Sequence, residues 1–303
     1  MQDPGATRGP VALATAQAAI GFDADMPLLS TALADIGVAH QAVVWDDPSV
    51  DWSSFPLVVL RSTWDYTARI DEFRAWIDRV ATVTTLANSA DLVHWNTDKH
   101  YLREAEAAGL PIVPTVFVEP GDDHAESAEW PAHLDEWLAI GDVVVKPSIS
   151  AGSNDTSRHS DRPSALDHVA ALTGTGRSSM IQPYLAEVER TSETGLVYLG
   201  GRFSHAFAKG PLLASERDME AGLYAREQIS SRQPTDAERD LGDRAVAWLA
   251  ERFGELLYAR VDLLPSANGP VIIELELTEP SLFLQTDTGA AARAADVIAA
   301  RLG

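Results

Sequence analysis

The stretch of sequence that decides the fold runs over residues 258–284 and reads YARVDLLPSANGPVIIELELTEPSLFL. Its two apolar runs are separated by Ala-Asn-Gly at 267–269, which predicts two antiparallel strands joined by a tight turn. Side chains alternate across a strand, so Glu274 and Glu276 leave the same face of the second strand. The sequence therefore predicts a hairpin with two carboxylates on one face.

The length of the turn decides which residues face each other across this hairpin. A two-residue Asn-Gly turn would place Asp262 opposite a leucine, on the wrong face. A three-residue loop over 267–269, with Gly269 in the left-handed conformation, instead pairs Asp262 with Glu274. The same register pairs Arg260 with Glu276. We favour it because one face then collects three carboxylates and a guanidinium.

This group of carboxylates makes the hairpin a candidate metal site. Three carboxylates so close together repel one another unless a cation lies between them. Such hard oxygen ligands suit Mg²⁺, which takes one or two carboxylates together with phosphate oxygens. Asp262, Glu274 and Glu276 are therefore candidate Mg²⁺ ligands. The alternative is an acidic, solvent-facing edge strand, and the rest of the chain must decide between the two.

The composition excludes several functional classes. The chain has 303 residues, a formal net charge of −22 and no cysteine. The negative charge argues against a nucleic-acid-binding surface, and the lack of cysteine excludes disulfides, thiolate catalysis and zinc–thiolate sites. We find neither a secretory signal nor an apolar run long enough to span a membrane. We expect a cytoplasmic protein without nucleic-acid or membrane partners; a homo-oligomer is compatible with the sequence.

Strand and helix signals alternate in the first part of the chain. Apolar runs at 11–16, 39–45 and 56–61 predict strands, and residues 25–36 predict a helix between the first two. This alternation favours a small parallel sheet.

Polar and aromatic residues follow the third predicted strand directly. They are Ser62, Thr63, Trp64, Asp65 and Tyr66. Ligands of open α/β sheets bind beyond the carboxyl ends of the strands, so this position predicts contacts with a small polar substrate. The alternative is structural, with the two aromatic residues in the core and Asp65 capping the next helix.

Two lysines occupy positions that disfavour a cation. Lys99 lies in the first turn of a helix predicted over 97–108, where the helix dipole opposes a positive charge. Lys146 lies within the apolar strand DVVVKPS at 142–148, where an ammonium group is costly unless it is paired. Both positions indicate an anion nearby, and a solvated surface lysine is the alternative for Lys99.

The segments after Lys146 complete the pattern. A loop of small residues, SAGSNDT at 150–156, lets backbone N–H groups approach a phosphate, although the chain has no Walker A motif. The strand predicted over 178–184 leads into Gln-Pro-Tyr-Leu, whose open backbone could bind a purine edge. We interpret the irregular segment 211–233 and the loop 149–156 as candidate lids.

Taken in order, these segments resemble the ATP-grasp ligases over essentially the whole chain. The local sequences STWDY, WNTDKHYL, VVKPSISAGSNDT, GGRFSHAFAK and ELELTEPSLF look like the subgroup near glutathione synthetase and the ribosomal-protein-modifying ligases. Within that subgroup they are most similar to the ring-closing branch, whose product is D-cycloserine. The resemblance implies an α/β protein with an N-terminal α/β (pre-ATP-grasp) domain at 1–95. Two α+β lobes, at 96–188 and 189–303, would clasp ATP.

The resemblance also implies which residues bind the nucleotide. These are Lys99, Lys146, Ser150, Ala151, Gly152, Ser153, Gln182, Pro183, Tyr184, Leu185, Glu193 and Lys209. The lysines would contact the phosphates, and the loop would fold over the β and γ phosphates. The backbone of 182–185 would hold adenine, and Glu193 would lie near the ribose. The serine that the family usually has two residues later is Gly195 here.

For the metal, the resemblance implies Mg²⁺ on Asp262, Glu274 and Glu276. Many members have asparagine at the third position, which is Glu276 here. We interpret Arg260 as a partner of the transferring γ-phosphoryl group rather than as a salt-bridge partner of Glu276.

The implied chemistry is the activation of a small-molecule carboxylic acid. The substrate carboxylate attacks the γ-phosphorus of ATP and gives an acyl phosphate, while Arg260, Lys146 and Lys209 stabilise the phosphoryl charge. In the ring-closing branch the substrate is O-ureido-D-serine, whose own nitrogen then closes the ring. The expected substrate contacts are Ser62, Thr63, Asp65 and Tyr66 on one side and Ser150 and Ser281 on the other.

Three alternatives remain open at this point. One is an intermolecular ligase that joins a carboxylic acid to a separate amine. Another is a nucleotide-binding regulatory protein without turnover, although all three acidic positions and Arg260 are present. The third, an acidic metal-binding protein, leaves Lys146 unexplained.

Overall fold

The computed structural model describes residues 9–122, 130–210 and 228–302. Their strands form one parallel and two antiparallel sheets, which confirms the predicted α/β class. Within these ranges no helix combines the length and the apolar character needed to cross a membrane.

The first sheet is parallel, with the strand order β2-β1-β3-β4. Its strands are β1 (Val11–Thr15), β2 (His40–Val44), β3 (Leu57–Ser62) and β4 (Thr85–Ala87). The helices that follow β1 and β3 are α1 (Asp25–Asp35) and α2 (Ile70–Val83). Strands β1 and β3 are buried along their whole length, as expected of a parallel sheet whose faces are covered. The predicted small parallel sheet is confirmed.

Two short helices, α3 (Ala90–Asn96) and α4 (Tyr101–Ala107), connect this sheet to the next. The helix predicted over 97–108 is confirmed over 101–107 but begins four residues later than predicted, so Lys99 lies in the turn between the two helices. The reason is a long-range contact: the backbone N–H of Lys99 donates to the carbonyl oxygen of Ser148 at 3.0 Å. The turn places Lys99 against the loop that follows the strand bearing Lys146.

The second sheet is antiparallel, with the order β5-β8-β6-β7. Its strands are β5 (Val116–Val118), β6 (Val143–Pro147), β7 (Ser157–His159) and β8 (Ser179–Pro183). Helices α5 (Trp130–Leu138) and α6 (Arg162–Thr173) share one apolar core with it. The small-residue loop follows β6, as the sequence predicts, and leads into β7, a strand that was not predicted.

The third sheet follows the short helix α7 (Val188–Thr191) and has the order β11-β10-β9-β12-β13. Its strands are β9 (Glu193–Leu199), β10 (Arg202–Lys209), β11 (Ile229–Ser231), β12 (Tyr258–Ser266) and β13 (Gly269–Glu276). Helix α8 (Asp236–Phe253) packs on this sheet, and α9 (Ala290–Ala300) packs against α1. Each sheet lies within one of the three predicted regions, whose boundaries remain predictions. Strand β11 lies within the last part of the predicted lid 211–233. Residues 211–227 of that segment lie outside the described residues.

The hairpin β12–β13 has the predicted pairs but a different turn. Asp262 faces Glu274 and Arg260 faces Glu276. The predicted three-residue loop is wrong, because the turn has two residues, Ala267 and Asn268. The register shifts instead at a β-bulge, where Ile273 is the extra residue between the paired positions. A bulge and a longer turn displace the pairing by the same one residue, so the acidic face forms either way.

Side chains from the α3–α4 region cover the outer edge of β13. The Asn96 amide donates to the carbonyl oxygen of Leu275 at 2.7 Å and accepts the N–H of Leu277 at 2.8 Å. The Tyr101 hydroxyl accepts the N–H of Leu275 at 2.9 Å. Asn88 donates to the carbonyl oxygens of Tyr258 and Leu277 at 2.9 and 2.7 Å. These contacts satisfy backbone groups that an edge strand otherwise leaves unpaired, and they fix the strand that carries the acids.

Candidate active site

Arg260 organises the carboxylate face of the hairpin. Its Nε and Nη2 atoms donate to the two carboxylate oxygens of Asp262, at 2.9 and 2.7 Å. Nη2 also bonds Glu276, and Nη1 donates to the carbonyl oxygen of Ser281 at 2.9 Å. The interpretation that set aside an Arg260–Glu276 salt bridge is therefore wrong. Arg260 and Asp262 are both buried, so this fork is a fixed part of the site.

Lys99 joins three parts of the chain at one ammonium group. Its Nζ lies 2.9 Å from Glu274 Oε1 and donates to the Ser150 carbonyl oxygen at 2.8 Å. Lys99 is 5% exposed, so the alternative of a solvated surface lysine is wrong. Because Glu274 is on β13 and Ser150 begins the small-residue loop, Lys99 places the loop beside the acidic face.

The other two lysines lie in the same region. Lys146 is buried in β6, and burial lowers its pKa to about 8 against the opposing attraction of Glu274. Lys209 ends β10 and faces Glu193 across the sheet, with their charged groups 4.0 Å apart. The 303-residue sequence contains three lysines in all. Every lysine of this acidic chain therefore belongs to one site.

The acids of the site experience opposed influences. Burial raises the pKa of Glu274, but the charges of Lys99 and Lys146 outweigh it and hold the value below the ordinary one. Burial raises the pKa of Glu276 well above its ordinary value; Arg260 opposes the effect, whereas Asp262 and Glu274 add to it. The hairpin itself thus has three carboxylates for the single guanidinium of Arg260, and lysines from other segments supply the remaining positive charge.

That excess is the observation relevant to a metal. Across residues 9–122, 130–210 and 228–302, no three His, Cys, Asp or Glu side chains are arranged to hold an ion. Arg260 and Lys99 contact the carboxylates instead. The donor chemistry nevertheless fits Mg²⁺, which prefers carboxylate oxygens and shares its shell with phosphates. The assignment of Asp262, Glu274 and Glu276 to the metal remains a prediction.

The predicted phosphate loop has the backbone that its role requires. Gly152, Ser153 and Asp155 all have positive φ, at 61°, 59° and 52°. Successive residues of this kind can turn N–H groups toward an anion. Ser150 is buried beside Lys99, whereas Gly152 and Ser153 are exposed. The loop is held at its far end by Arg177, which donates to Asp155 at 2.5 Å.

The predicted adenine segment lies at the end of β8. The Gln182 amide donates to the Thr115 hydroxyl at 2.8 Å, and the Tyr184 N–H donates to the Asp142 carbonyl oxygen at 2.8 Å. The Arg158 guanidinium lies over the Tyr184 ring, with its central carbon Cζ 3.7 Å from the ring centroid. The side chain of Gln182 and the N–H of Tyr184 thus serve the fold. Pro183 has no N–H, so the Leu185 N–H and the carbonyl oxygens of the segment are the remaining groups for adenine.

The predicted substrate segment after β3 has structural contacts. Ser62 Oγ lies 2.8 Å from Thr15 Oγ1, and Asp65 accepts from Trp45 Nε1 at 2.8 Å. Asp65 lies within a 3-10 turn and does not cap the next helix, so that part of the structural alternative is wrong, whereas the part that places Trp64 and Tyr66 at the core is confirmed. Tyr66 belongs to the core, 4.8 Å from Phe73 in a stacked pair. Thr63 Oγ1 is buried without a hydrogen-bond partner among the described residues.

Glu279 is a site residue that the sequence analysis missed. It is 9% exposed, the Tyr66 hydroxyl acts on its carboxyl group and lowers its pKa against the effect of burial, and its backbone carbonyl accepts Trp64 Nε1 at 3.2 Å. It therefore joins the predicted substrate segment to the end of β13, which carries the candidate metal ligands. Alternation along β13 gave no signal for it, because the strand ends at Glu276. Its only signal was a glutamate directly before a proline in ELELTEPSLF.

Comparison with known proteins agrees with this geometry. The sequence model for the N-terminal domain of D-cycloserine synthetase DcsG matches residues 11–88. The cycloserine biosynthesis protein DcsG of Streptomyces lavendulae is 37% identical over 307 residues, which cover 97% of this chain and 99% of that protein. The crystal structure of D-cycloserine synthetase DcsG has a TM-score of 0.87 and 34% identity, and the match covers 97% of this chain and all of that one (100%).

A more distantly related structure has the same fold. The RimK domain ATP-grasp protein of Sphaerobacter thermophilus has a TM-score of 0.66 and 17% identity, and the match covers 95% of this chain and 99% of that one. At that identity the likeness concerns the fold alone, and it confirms the predicted ATP-grasp fold.

Proposed function

The chain belongs to the family of D-cycloserine synthetase, a ring-forming branch of the ATP-grasp carbon–nitrogen ligases, and from this premise we propose that it closes the D-cycloserine ring. The substrate is an amino-acid derivative, O-ureido-D-serine, and the reaction consumes ATP with Mg²⁺. The products are D-cycloserine, ADP and phosphate, and hydrolysis of the N–carbamoyl bond releases the carbamoyl group as carbon dioxide and ammonia.

The observation that supports the proposal best is the position of the three lysines. Lys99, Lys146 and Lys209 are the complete lysine content of a chain with a net charge of −22. Lys99 is buried between the loop and Glu274, and burial keeps the pKa of Lys146 at about 8. Buried ammonium groups are costly without an anion, and a triphosphate supplies several negative charges at once. Glu274 and Glu193 face these lysines, and a bound triphosphate would supply the further negative charge that three clustered ammonium groups attract.

The first chemical step is phosphoryl transfer to the substrate carboxylate. Lys146 and Lys209 hold the phosphate oxygens, and Arg260 faces the γ-phosphoryl group as charge develops on it. The loop 150–156 offers backbone N–H groups to the same phosphates, and the Gln182–Leu185 segment holds adenine. When bound on Asp262, Glu274 and Glu276, Mg²⁺ supplies further neutralisation of phosphate charge.

The second step is ring closure on the acyl phosphate. The substrate's own aminooxy nitrogen attacks the activated carbonyl carbon, and phosphate leaves. Because acid and nucleophile belong to one molecule, proximity favours closure without a second amino-acid site. The protein must keep water from the acyl phosphate, and the loop over the phosphates is suited to that role.

The test is turnover of O-ureido-D-serine by the purified protein. ADP release is followed in a coupled assay with ATP and Mg²⁺, and D-cycloserine is identified by mass spectrometry. We expect both products in equal amounts and none in the absence of Mg²⁺. Formation of an amide with an added amine, without D-cycloserine, would indicate the intermolecular ligase. ATP binding without ADP release from any carboxylic acid would indicate a regulatory protein.

A further inference from the structure

Glu279 is held at a fixed position by contacts on both sides of it. Before it, the carbonyl oxygen of Thr278 accepts the Tyr258 hydroxyl at 2.8 Å. After it, Arg61 donates to the carbonyl oxygen of Pro280 at 3.2 Å. The Glu279 carbonyl itself accepts Trp64 Nε1 at 3.2 Å. The backbone around this carboxylate is therefore anchored to the N-terminal region.

A second anchor follows directly. The carboxylate of Asp25 accepts the N–H groups of Leu282, Phe283 and Leu284, at 2.6, 3.1 and 2.7 Å. Phe283 has a left-handed backbone with φ of 49°, which aims these successive N–H groups at one acceptor. Asp25 is buried and also bonds Arg61. This network fixes the segment from 278 to 284 more firmly than a surface connection would require.

The side chain that this network positions is a buried carboxylate without a cation. Among the described residues, no Lys, Arg or His forms a salt bridge with Glu279. Burial raises the pKa of Glu279 to about 7; Lys99 and the Tyr66 hydroxyl oppose the shift and Glu274 adds to it. A buried carboxylate is costly unless it is paired, so the site is short of one positive charge next to Tyr66.

We propose that Glu279 binds the α-ammonium group of the amino-acid substrate, with the Tyr66 hydroxyl orienting its carboxylate. The assignment rests on the proposed function, because the substrate carboxylate that is phosphorylated lies one carbon from its ammonium group. Arg260, which faces the phosphoryl group, donates to the carbonyl oxygen of Ser281, two residues from Glu279. One short segment therefore positions both the group that meets the phosphoryl charge and the group that meets the ammonium.

The ammonium is favoured over a second metal ligand by the surroundings of the carboxylate. Glu279 lies beyond the end of β13, off the strand face that carries Glu274 and Glu276. The Tyr66 phenol acts on its carboxyl group and the Trp64 indole donates to its backbone carbonyl, whereas Glu274 acts on it through charge alone. Aromatic groups and one carboxylate suit an ammonium, whereas Mg²⁺ needs several oxygen ligands.

The experiment compares two substrates that differ by the amino group. These are O-ureido-D-serine and 3-(ureidooxy)propanoic acid, which lacks the α-amino group, and ADP release gives kcat/KM for each. We expect wild-type protein to prefer the amino compound by about 100-fold or more, as loss of a buried charge partner predicts. In Glu279→Gln the preference should fall below about tenfold, mainly through KM, with KM for ATP within about twofold of wild type.

Two further variants complete the design. Tyr66→Phe keeps the ring that stacks on Phe73 and should lower the preference about fivefold, because the hydroxyl proposed to orient the Glu279 carboxylate is lost. Glu251→Gln removes an exposed carboxylate on α8 and should leave the preference unchanged. Should Glu279→Gln fail to fold, as judged by thermal melting, Tyr66→Phe alone decides the matter.

The outcomes separate this inference from the proposed function. An undiminished preference for the amino compound in Glu279→Gln and Tyr66→Phe would overturn the ammonium assignment. A higher Mg²⁺ requirement in Glu279→Gln, with that preference intact, would make Glu279 a metal ligand instead. If wild-type protein ignores O-ureido-D-serine but accepts another D-amino acid, the proposed function fails, and the same comparison with its deamino counterpart tests Glu279. Turnover of no acid at all would overturn both.

Discussion

Lys99 Nζ lies 2.9 Å from Glu274 Oε1 and 2.8 Å from the carbonyl oxygen of Ser150, so one ammonium group ties the small-residue loop to the acidic strand. Glu274 belongs to the third sheet, and Ser150 lies in the loop between β6 and β7 of the second. The loop that we propose to lie over the phosphates therefore has its base fixed beside the proposed metal ligands. The relationship makes the geometry of both parts depend on a single side chain.

Replacing this lysine should uncouple the two parts. In Lys99→Met we expect KM for ATP to rise at least about tenfold, because hydrogen bonds to a charged group contribute about 1.5–3 kcal/mol. The backbone amides of 150–156 should also exchange hydrogen faster, as measured by mass spectrometry. Arg177→Met is the matched control, since it removes a cation from the exposed end of the same loop. It should speed exchange near Asp155 and leave KM for ATP within about twofold of wild type.

The fork of Arg260 predicts that lysine cannot replace it. Three of its nitrogens bond Asp262, Glu276 and the Ser281 carbonyl, a geometry that a single ammonium group does not reproduce. In Arg260→Lys we expect kcat to fall by about 100-fold or more, since one charged contact to the transition state is lost. The free energy of unfolding should fall by about 1–3 kcal/mol.

Arg260→Ala is the more severe change and shows why the lysine variant is needed. It leaves Asp262 and Glu276 without their shared cation, which should destabilise the fold by about 3–5 kcal/mol. Adding Glu276→Gln should recover part of that stability in urea denaturation but none of the turnover. Turnover near the wild-type rate in Arg260→Lys would contradict the proposed role of Arg260.

The acidic face could be predicted from the sequence, whereas the β-bulge that sets its register could not. Alternation fixes which side chains of β13 share a face, and the presence of Asp262 and Arg260 on β12 selects one register. A longer turn and a bulge displace the strands by the same one residue, so the pattern cannot place the extra residue. The structure places it at Ile273.

The residues that the sequence analysis missed act through contacts between distant parts of the chain. Asn96 and Tyr101 cover the edge of β13 from about 170–180 positions away, a relation that no local period encodes. The helix predicted over 97–108 begins only at Tyr101 for the same reason, because the N–H of Lys99 bonds Ser148 in the turn that precedes it. Glu279 lies past the strand end, where alternation no longer applies.

The burial of Lys146 predicts a stability that changes with pH. Burial lowers its pKa from 10.5 to about 8 in the folded protein, so below pH 8 the folded state contains a buried ammonium. As the pH rises from about 8 to 10.5, the folded state loses this proton before the unfolded state does, and the cost of burial declines. Each pKa unit corresponds to about 1.4 kcal/mol, so the cost near neutral pH is about 3 kcal/mol.

Lys146→Met should therefore be inactive but more stable than wild type at pH 7, by up to about 3 kcal/mol. The difference should shrink between pH 8 and 10.5. Urea denaturation at pH 7, 9 and 10, without nucleotide, measures it. A variant that is less stable than wild type at pH 7 would show that Glu274 offsets the cost of burying the ammonium.

Because the chain contains three lysines, amine-reactive labelling reads the proposed phosphate site without an activity assay. At ATP ten times above its Kd the site is empty about a tenth of the time, so labelling of Lys146 and Lys209 should slow about tenfold. AMP, which lacks the β and γ phosphates, should protect these lysines less than ATP does. Peptide mapping by mass spectrometry quantifies each lysine, with the α-amino group as the internal control. If each of the three lysines is labelled equally fast with and without ATP, the proposal that the nucleotide binds at this site is wrong.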